Sequence, residues 1–494
     1  MQACGSVGAI DRGTKTHNDI VDRGLLKKNT NLGNALVDMY VKCGVLDRAR
    51  QVLEELSDRD VVSWTSMIGG YAQQGQGHEA LNCFEQMQRE GLVPNQVTFI
   101  SILKACASIG AADKGEQIHD EIARRGLLEK NVVIGNALID MYAKCGVLGK
   151  AQVVLKQLHV RDIISWNALI AGYAQHEHGE EALNCFIHIQ REGLSPNEIT
   201  FTCILKACGS IGAIEKGKQI HNEIVTRGLL QKNVVLGTAL VDMYAKCSRI
   251  AKAQEVLDNL PCRDIISWNA LLAGYSQEGR GHEALNCFEV MQREGLFPNE
   301  FSFSCILKAC GSIGAITKGI QVHNEIANRG LLDQSVVLGN SLVDMYAKCG
   351  APAKARQVLE ELRIRDSVSW AALIAGYAEE GLCEEALNAF EQMQREGFHP
   401  NHVTLLCVLN ACSHSGLLDE AEMHFRNMSR KYGINPELEH FTCMVVSFGY
   451  AGNFDKALSV IQSMPSFDFP SVWLALLGGC RKWGNVTVGI SAFD

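Results

Sequence analysis

Residues 163–197 read IISWNALIAGYAQHEHGEEALNCFIHIQREGLSPN. Trp166, Leu169, Ile170 and Tyr173 fall at i, i+3, i+4 and i+7, the spacing that lines apolar side chains along one face of an α-helix. Ser165, just ahead of them, is the expected N-cap. The segment around His178–Gly179 interrupts the pattern. A second amphipathic run then carries Ala182, Cys185, Phe186 and Ile189 and stops at Gly193, with Pro196 three residues beyond. The stretch reads as a helical hairpin. Neither helix buries its apolar face alone, so the hairpin needs neighbours stacked against it.

The neighbours are written into the same chain. Trp64, Trp166, Trp268 and Trp370 stand 102 residues apart, and Pro94, Pro196, Pro298 and Pro400 repeat that step. Each long period divides into three hairpin-sized units. Ile163–Asn197 has 35 residues, Glu198–Asn233 has 36 and Val234–Asp264 has 31, which together close the 102. The expected fold is all-α, a superhelical solenoid of stacked helix-turn-helix repeats, acting as a monomer.

The totals agree with a folded array. Among 494 residues, 47% are hydrophobic and 20% charged, with 9 prolines, a composition unlike that of disordered chains. No apolar run approaches the roughly 18 residues of a membrane helix. The 19 cysteines follow the repeat: Cys4, Cys106, Cys208, Cys310 and Cys412 share the 102-residue step, as do Cys43, Cys145, Cys247 and Cys349. Cysteines copied once per repeat are expected as small buried residues in a reducing compartment. The net charge of −9 argues against nonspecific nucleic-acid binding, which rests on a cationic face. The start, MQACGSVGAIDRG, has neither a signal peptide nor an Arg/Ser-rich transit sequence.

Three motifs, SWNALIAGYAQ with GLSPN, ILKACGSIGAIEKGKQIH, and GNALIDMYAKCG with a terminal Asp, resemble the standard, long and short units of the plant pentatricopeptide repeat family. Their rotation resembles its PLS subgroup. The resemblance covers essentially the whole chain. It implies a partial long unit at 1–29, rotating short, standard and long units over 30–401, variant long and short closing units over 402–469, and the beginning of an extension motif at 470–494. Both ends then read as incomplete. The family's members bind single-stranded RNA, and the subgroup implies a target-recognition factor for organellar C-to-U editing, in mitochondrion or chloroplast, with a deaminase or editing-complex protein in trans.

In this family one unit contacts one base through its fifth and last residues. Carried over position by position, Asn34 with Asp60, Asn136 with Asp162, and Asn340 with Asp366 resemble uracil readers. Thr65 with Asn95 resembles an adenine reader, and Thr238 with Asp264 a guanine reader. Asn167 with Asn197, and Asn269 with Asn299, resemble cytosine readers. The long units, with Ile100, Thr202 and Ser304 at the fifth position, are left blank. The implied register is U-A-x-U-C-x-G-C-x-U. Asn, Asp and Thr are also ordinary cap and turn residues, which is the competing reading.

Lys42, Lys144, Lys246 and Lys348 end the first helix of each short unit, either as a cationic row for phosphates or as solvated helix ends. His119-Asp120-Glu121, His221-Asn222-Glu223 and His323-Asn324-Glu325 match the H-x-E element of zinc deaminases, but they recur inside a periodic helix and no C-x-x-C accompanies them. No nucleotide-cofactor loop appears, so no cofactor is expected and this chain alone does not read as an enzyme. The rivals are a tetratricopeptide-like protein-binding scaffold, whose units keep a fixed 34-residue length, and a nonfunctional truncated copy.

Overall fold

The computed structural model describes residues 5, 8–26, 29–128, 131–231, 233–464 and 469–493. Every regular element among them is an α-helix, and none is long and apolar enough to cross a membrane. The chain forms two compact units, residues 1–261 and 262–494. Each is a stack of helical hairpins.

In the first unit, the first helices of successive hairpins (30–42, 61–73, 96–109, 132–144, 163–175, 198–210 and 234–246) pack neighbour against neighbour. The second helices from 46–55 to 214–226 each lie against their own first helix and the first helix of the next hairpin. The second unit repeats this layering from 265–277 to 470–483. In neither unit do neighbouring second helices approach each other comparably among the described residues. The first helices therefore form the tighter layer.

Small residues allow that approach. A Cβ added at Gly172 would lie 2.5 Å from the Ala143 Cβ on the preceding first helix, and Gly376 meets Ala347 in the same way. Around this seam Trp166, Leu169, Ile170 and Tyr173 are buried, as are Ala182, Cys185, Phe186 and Ile189 of the second helix. The apolar stripes read from the sequence are thus the core, and their burial is the main stabilising term. Cys106, Cys208, Cys310 and Cys412 are fully buried, and burial pushes each thiol up to about 12. Cys43, Cys145, Cys247 and Cys349 are only half-buried, and no disulfide joins the described cysteines; Cys4 lies outside the described residues.

One local expectation changes. The helix of unit 163–197 begins at Ile163, and Asp162, not Ser165, is its N-cap. Ser165 is the third helical residue and closes a capping box with Asp162. The interruption read near His178–Gly179 is the turn at 176–178, and Gly179 is the first residue of the second helix, where a Cβ would meet Ile211 Cγ2 at 2.4 Å. The left-handed turn residue is Glu177, with φ 64°, where the parallel standard units have Gly75, Gly279 and Gly381. Ser248, φ 56°, likewise replaces the glycine found at 44, 146 and 350.

The three unit lengths have physical counterparts. Short units have second helices of 10, 10, 9 and 10 residues, against 13 in the standard units. The extra residue of a long unit lies in the connection after its second helix, residues 227–233 against 192–197 in a standard unit.

Replacing Glu177 or Ser248 by glycine relieves a side chain held at positive φ and should stabilise the array by about 1 kcal/mol, read by urea denaturation. Asp162→Ala removes a cap and should cost about 1 kcal/mol or more. An unchanged denaturation midpoint for Asp162→Ala would mean the cap is dispensable.

Candidate nucleic-acid interface

The last residues singled out from the sequence all start helices. Asp60, Asn95, Asp162, Asn197, Asp264, Asn299 and Asp366 are N-caps, each accepting the backbone N–H of the third residue of the following unit. Capping engages chiefly one side-chain oxygen. The other atom differs: a second carboxylate oxygen in Asp, an NH2 group in Asn. Two equally good caps therefore offer opposite polarity beside the same helix start.

The fifth residue of a unit is tied to that cap. Asn34 donates from Nδ2 to both carboxylate oxygens of Asp60, at 3.1 and 3.0 Å. Asn136 donates to Asp162 at 3.2 and 3.4 Å, and Asn340 to Asp366 at 3.2 and 3.3 Å. Asn167 donates to Asn197 Oδ1 at 3.0 Å and Asn269 to Asn299 Oδ1 at 3.1 Å. Thr65 reaches Asn95 through Thr98, whose hydroxyl lies 2.7 Å from that of Thr65 and 3.0 Å from Asn95 Oδ1. Thr238 belongs to the first unit and Asp264 to the second, where Asp264 caps helix 265–277.

These fifth residues are less open than side chains lining a wall would be. Asn34, Thr65, Asn136, Asn167 and Asn269 are only 6–9% exposed, because close packing of the first helices draws them in between successive hairpins. Burial by itself would raise the carboxyls of Asp60 and Asp162. Hydrogen bonds from the Ser63 backbone and the Asn34 side chain at Asp60, and from the Ser165 backbone and side chain and Asn136 at Asp162, outweigh it and hold both below the ordinary carboxyl value. Both are ionised at neutral pH.

Long units lack this pairing. Thr202 turns its hydroxyl to Glu198 O of its own helix, and Ser304 pairs with Ser341. Asn233 and Ser335, the last residues of two long units, instead bond the glutamates that begin those units, Glu198 and Glu300. The backbone explains the difference. Asn131, Asn233 and Ser335 have ψ of 99°, 100° and 107°, whereas Asp60, Asp162 and Asn197 have ψ of 177°, 174° and −179°. The additional residue in the connection reaches the next helix by a different path, which turns the cap side chain away from the fifth residue.

Two rows were missed in the sequence. The second residue of each unit from 61 onward to 402 is an exposed apolar side chain: Val62, Val97, Val133, Ile164, Ile199, Val235, Ile266, Phe301, Val337, Val368 and Val403 are 50–62% exposed. Each sits three residues before a fifth residue, hence beside it on the helix. The signal was present as an apolar residue at a fixed unit position, masked by the adjoining core positions. Lys104, Lys206 and Lys308, from the repeated ILKAC of the long units, are exposed and form no ion pair among the described residues. By contrast Lys42, Lys144, Lys246 and Lys348 are each paired with the aspartate one turn earlier, at 2.7–2.8 Å, which offsets their charge locally. In the second unit a cleft of about 410 Å³ gathers Asn340, Lys308, Lys348, Val368 and Ala371 on one first-helix face.

The H-x-E histidines hold hairpins together. His119, His221 and His323 place Nδ1 2.9–3.0 Å from the hydroxyls of Tyr142, Tyr244 and Tyr346, and burial lowers their pKa so that they stay neutral. Among the described residues, His402, Glu437 and His440 come close enough to share a metal ion. His440, however, spends Nδ1 on the Glu437 amide and Nε2 on the His402 carbonyl, leaving two ligands, short of a tetrahedral set.

A model of the PPR repeat family matches residues 59–108, 161–210, 263–312 and 365–414, and a PPR repeat model matches 34–61, 136–163, 199–229, 340–366, 403–432 and 439–469. Two pentatricopeptide repeat-containing proteins of Arabidopsis thaliana are 36% and 35% identical, each over 99% of this chain. The chain spans 63% of the first relative's length and 71% of the second's. Two further Arabidopsis relatives, 33% and 35% identical, carry "mitochondrial" and "chloroplastic" in their names. Among solved structures, maize pentatricopeptide repeat protein PPR10 superposes with a TM-score of 0.62 at 22% identity, covering 96% of this chain and 73% of that one. PPR10 in complex with an 18-nucleotide psaJ RNA element gives 0.61 at 18% identity over 99% and 77%. With hairpin stacking, repeat rotation and these relatives in agreement, the chain belongs to the pentatricopeptide repeat family.

Proposed function

We propose that this chain binds single-stranded RNA sequence-specifically, with standard and short units reading one base each. The observation that carries the reading is the joining of fifth and last residues in five standard and short units, and in a sixth through Thr98, against their separation in long ones. An Asp cap keeps an outward acceptor suited to the N3–H of uracil; an Asn cap keeps an NH2 suited to the bare N3 of cytosine. The exposed second residues supply apolar surface for the faces of the bases. Lys104, Lys206 and Lys308 supply local positive charge that the net −9 conceals. The structural likeness to RNA-bound PPR10 supports the same class of ligand.

The register is U-A-x-U-C-x-G-C-x-U, the blanks falling on long units. The rotation of three unit types favours the PLS subgroup. From that resemblance we infer a targeting role in C-to-U editing, with a deaminase or editing protein acting in trans. Relatives named for mitochondrion and chloroplast support an organellar setting.

Titration at fixed salt with an RNA of this register, and with one exchanged at the adenine and guanine positions, should show the first bound more tightly by tenfold or more; each mismatched position is expected to weaken binding by roughly fivefold or more. Equal affinities would remove base reading. Asp162→Asn keeps the cap and reverses the outward atom, so the fourth base should shift from uracil towards cytosine with no loss of stability. A variant that still prefers uracil would show that the cap atom does not face the base.

A further inference from the structure

We propose that in four units the hydroxyl residue at the third position is a positioning residue for the base reader of the unit before it. Ser165 holds Asn136, Thr200 holds Asn167, Ser302 holds Asn269 and Ser369 holds Asn340. This rests on the base-reading proposal and adds a residue to it.

Each of these hydroxyls is completely buried. Each donates to the amide oxygen of the preceding unit's fifth residue: Ser165 to Asn136 Oδ1 at 2.6 Å, Thr200 to Asn167 at 2.7 Å, Ser302 to Asn269 at 2.6 Å and Ser369 to Asn340 at 2.5 Å. The hydroxyl oxygen in turn accepts the backbone N–H of the last residue, at 3.3 Å from Asp162 and 3.1 Å from Asn197. With its oxygen accepting from the backbone, the hydroxyl has one proton to give, and the amide oxygen lies nearest to it in the Ser165 and Thr200 sites.

An asparagine amide is otherwise ambidextrous, offering an acceptor and a donor of nearly equal size. Tied at Nδ2 to the cap and at Oδ1 to the hydroxyl, it turns one remaining N–H towards a base and withholds its acceptor. Burial of the hydroxyls strengthens such a network by lowering the local dielectric. The sequence pattern follows the same division. Third residues are Ser63, Thr98, Ser165, Thr200, Ser267, Ser302, Ser369 and Thr404 after short and standard units, but Ile134, Leu236 and Leu338 after long units, where the fifth and last residues are apart.

The hydroxyl also belongs to the capping box of its own helix, and the two roles act at different places. A cap role for Ser165 bears on helix 163–175, which carries Asn167. A positioning role bears on Asn136, one unit earlier. The full chain is titrated with RNAs of the predicted register varied between U and C at the fourth base, facing unit 132–162, and at the fifth base, facing unit 163–197. Ser165→Ala should lower the U-over-C preference at the fourth base about fivefold, the worth of one hydrogen bond, and leave the fifth unchanged. Ser165→Thr should keep both preferences, and Thr200→Ala should lower the preference at the fifth base alone. If Ser165→Ala acts on the fifth base, or a discriminating wild type keeps its fourth-base preference in the variant, the positioning role is overturned while base reading stands. A wild type indifferent at both bases overturns base reading and this role with it.

Discussion

A helix has four backbone N–H groups at its start with no partner inside the helix, and a stack of hairpins must satisfy them at every repeat. Here the last residue of each standard or short unit does so from just ahead of the next helix, as Asp162 does for the Ser165 amide. That duty pins the cap side chain in one place and consumes one face of it. Whatever the cap presents on its other face is then presented at a fixed point, once per hairpin. Asp and Asn serve the cap alike and differ only in that second face, so the chain varies what it displays without disturbing the stack.

The cap is joined to the fifth residue of its own unit because the first helices lie so close together. Glycine and alanine at the seam bring the fifth residue of one hairpin against the cap of the next, within hydrogen-bond reach. Closeness has its own cost. The fifth asparagines are mostly enclosed, so in the proposed base reading their contribution narrows to a single donor and more of the discrimination passes to the cap. Long units escape this arrangement through one additional connecting residue, which changes ψ at the cap by about 80° between Asn197 and Asn233 and sends the Asn233 side chain to the glutamate at the start of its own unit. A periodic interruption of the fifth-to-cap pairing thus arises from chain length, with no change in the fold of the hairpin.

Charge follows the same local logic. The acidic total describes the whole surface, whereas a backbone-binding strip depends on which lysines remain unpaired. Lysines at the ends of the short units' first helices are neutralised by aspartates one turn earlier, whereas Lys104, Lys206 and Lys308 on the long units' first helices form no ion pair among the described residues. Histidines that resemble a deaminase element are spent on tyrosines of the next hairpin, where burial keeps them neutral.

Periodicity alone determined the hairpin, the three unit lengths, the all-helical class and the apolar stripe from Trp166 to Tyr173, because each depends on spacing along one helix. Helix boundaries were legible only to within a turn: Ser165 and Asp162 are both good caps by type, and a string of letters does not show which one precedes the first helical residue. The partners of Asn136, the enclosure of the fifth residues, the exposed row from Val62 to Val403 and the different path after long units were decided by tertiary structure. These depend on how near one hairpin comes to the next, a distance set by Gly172 on Ala143 and its equivalents, and no reading along a single helix contains it.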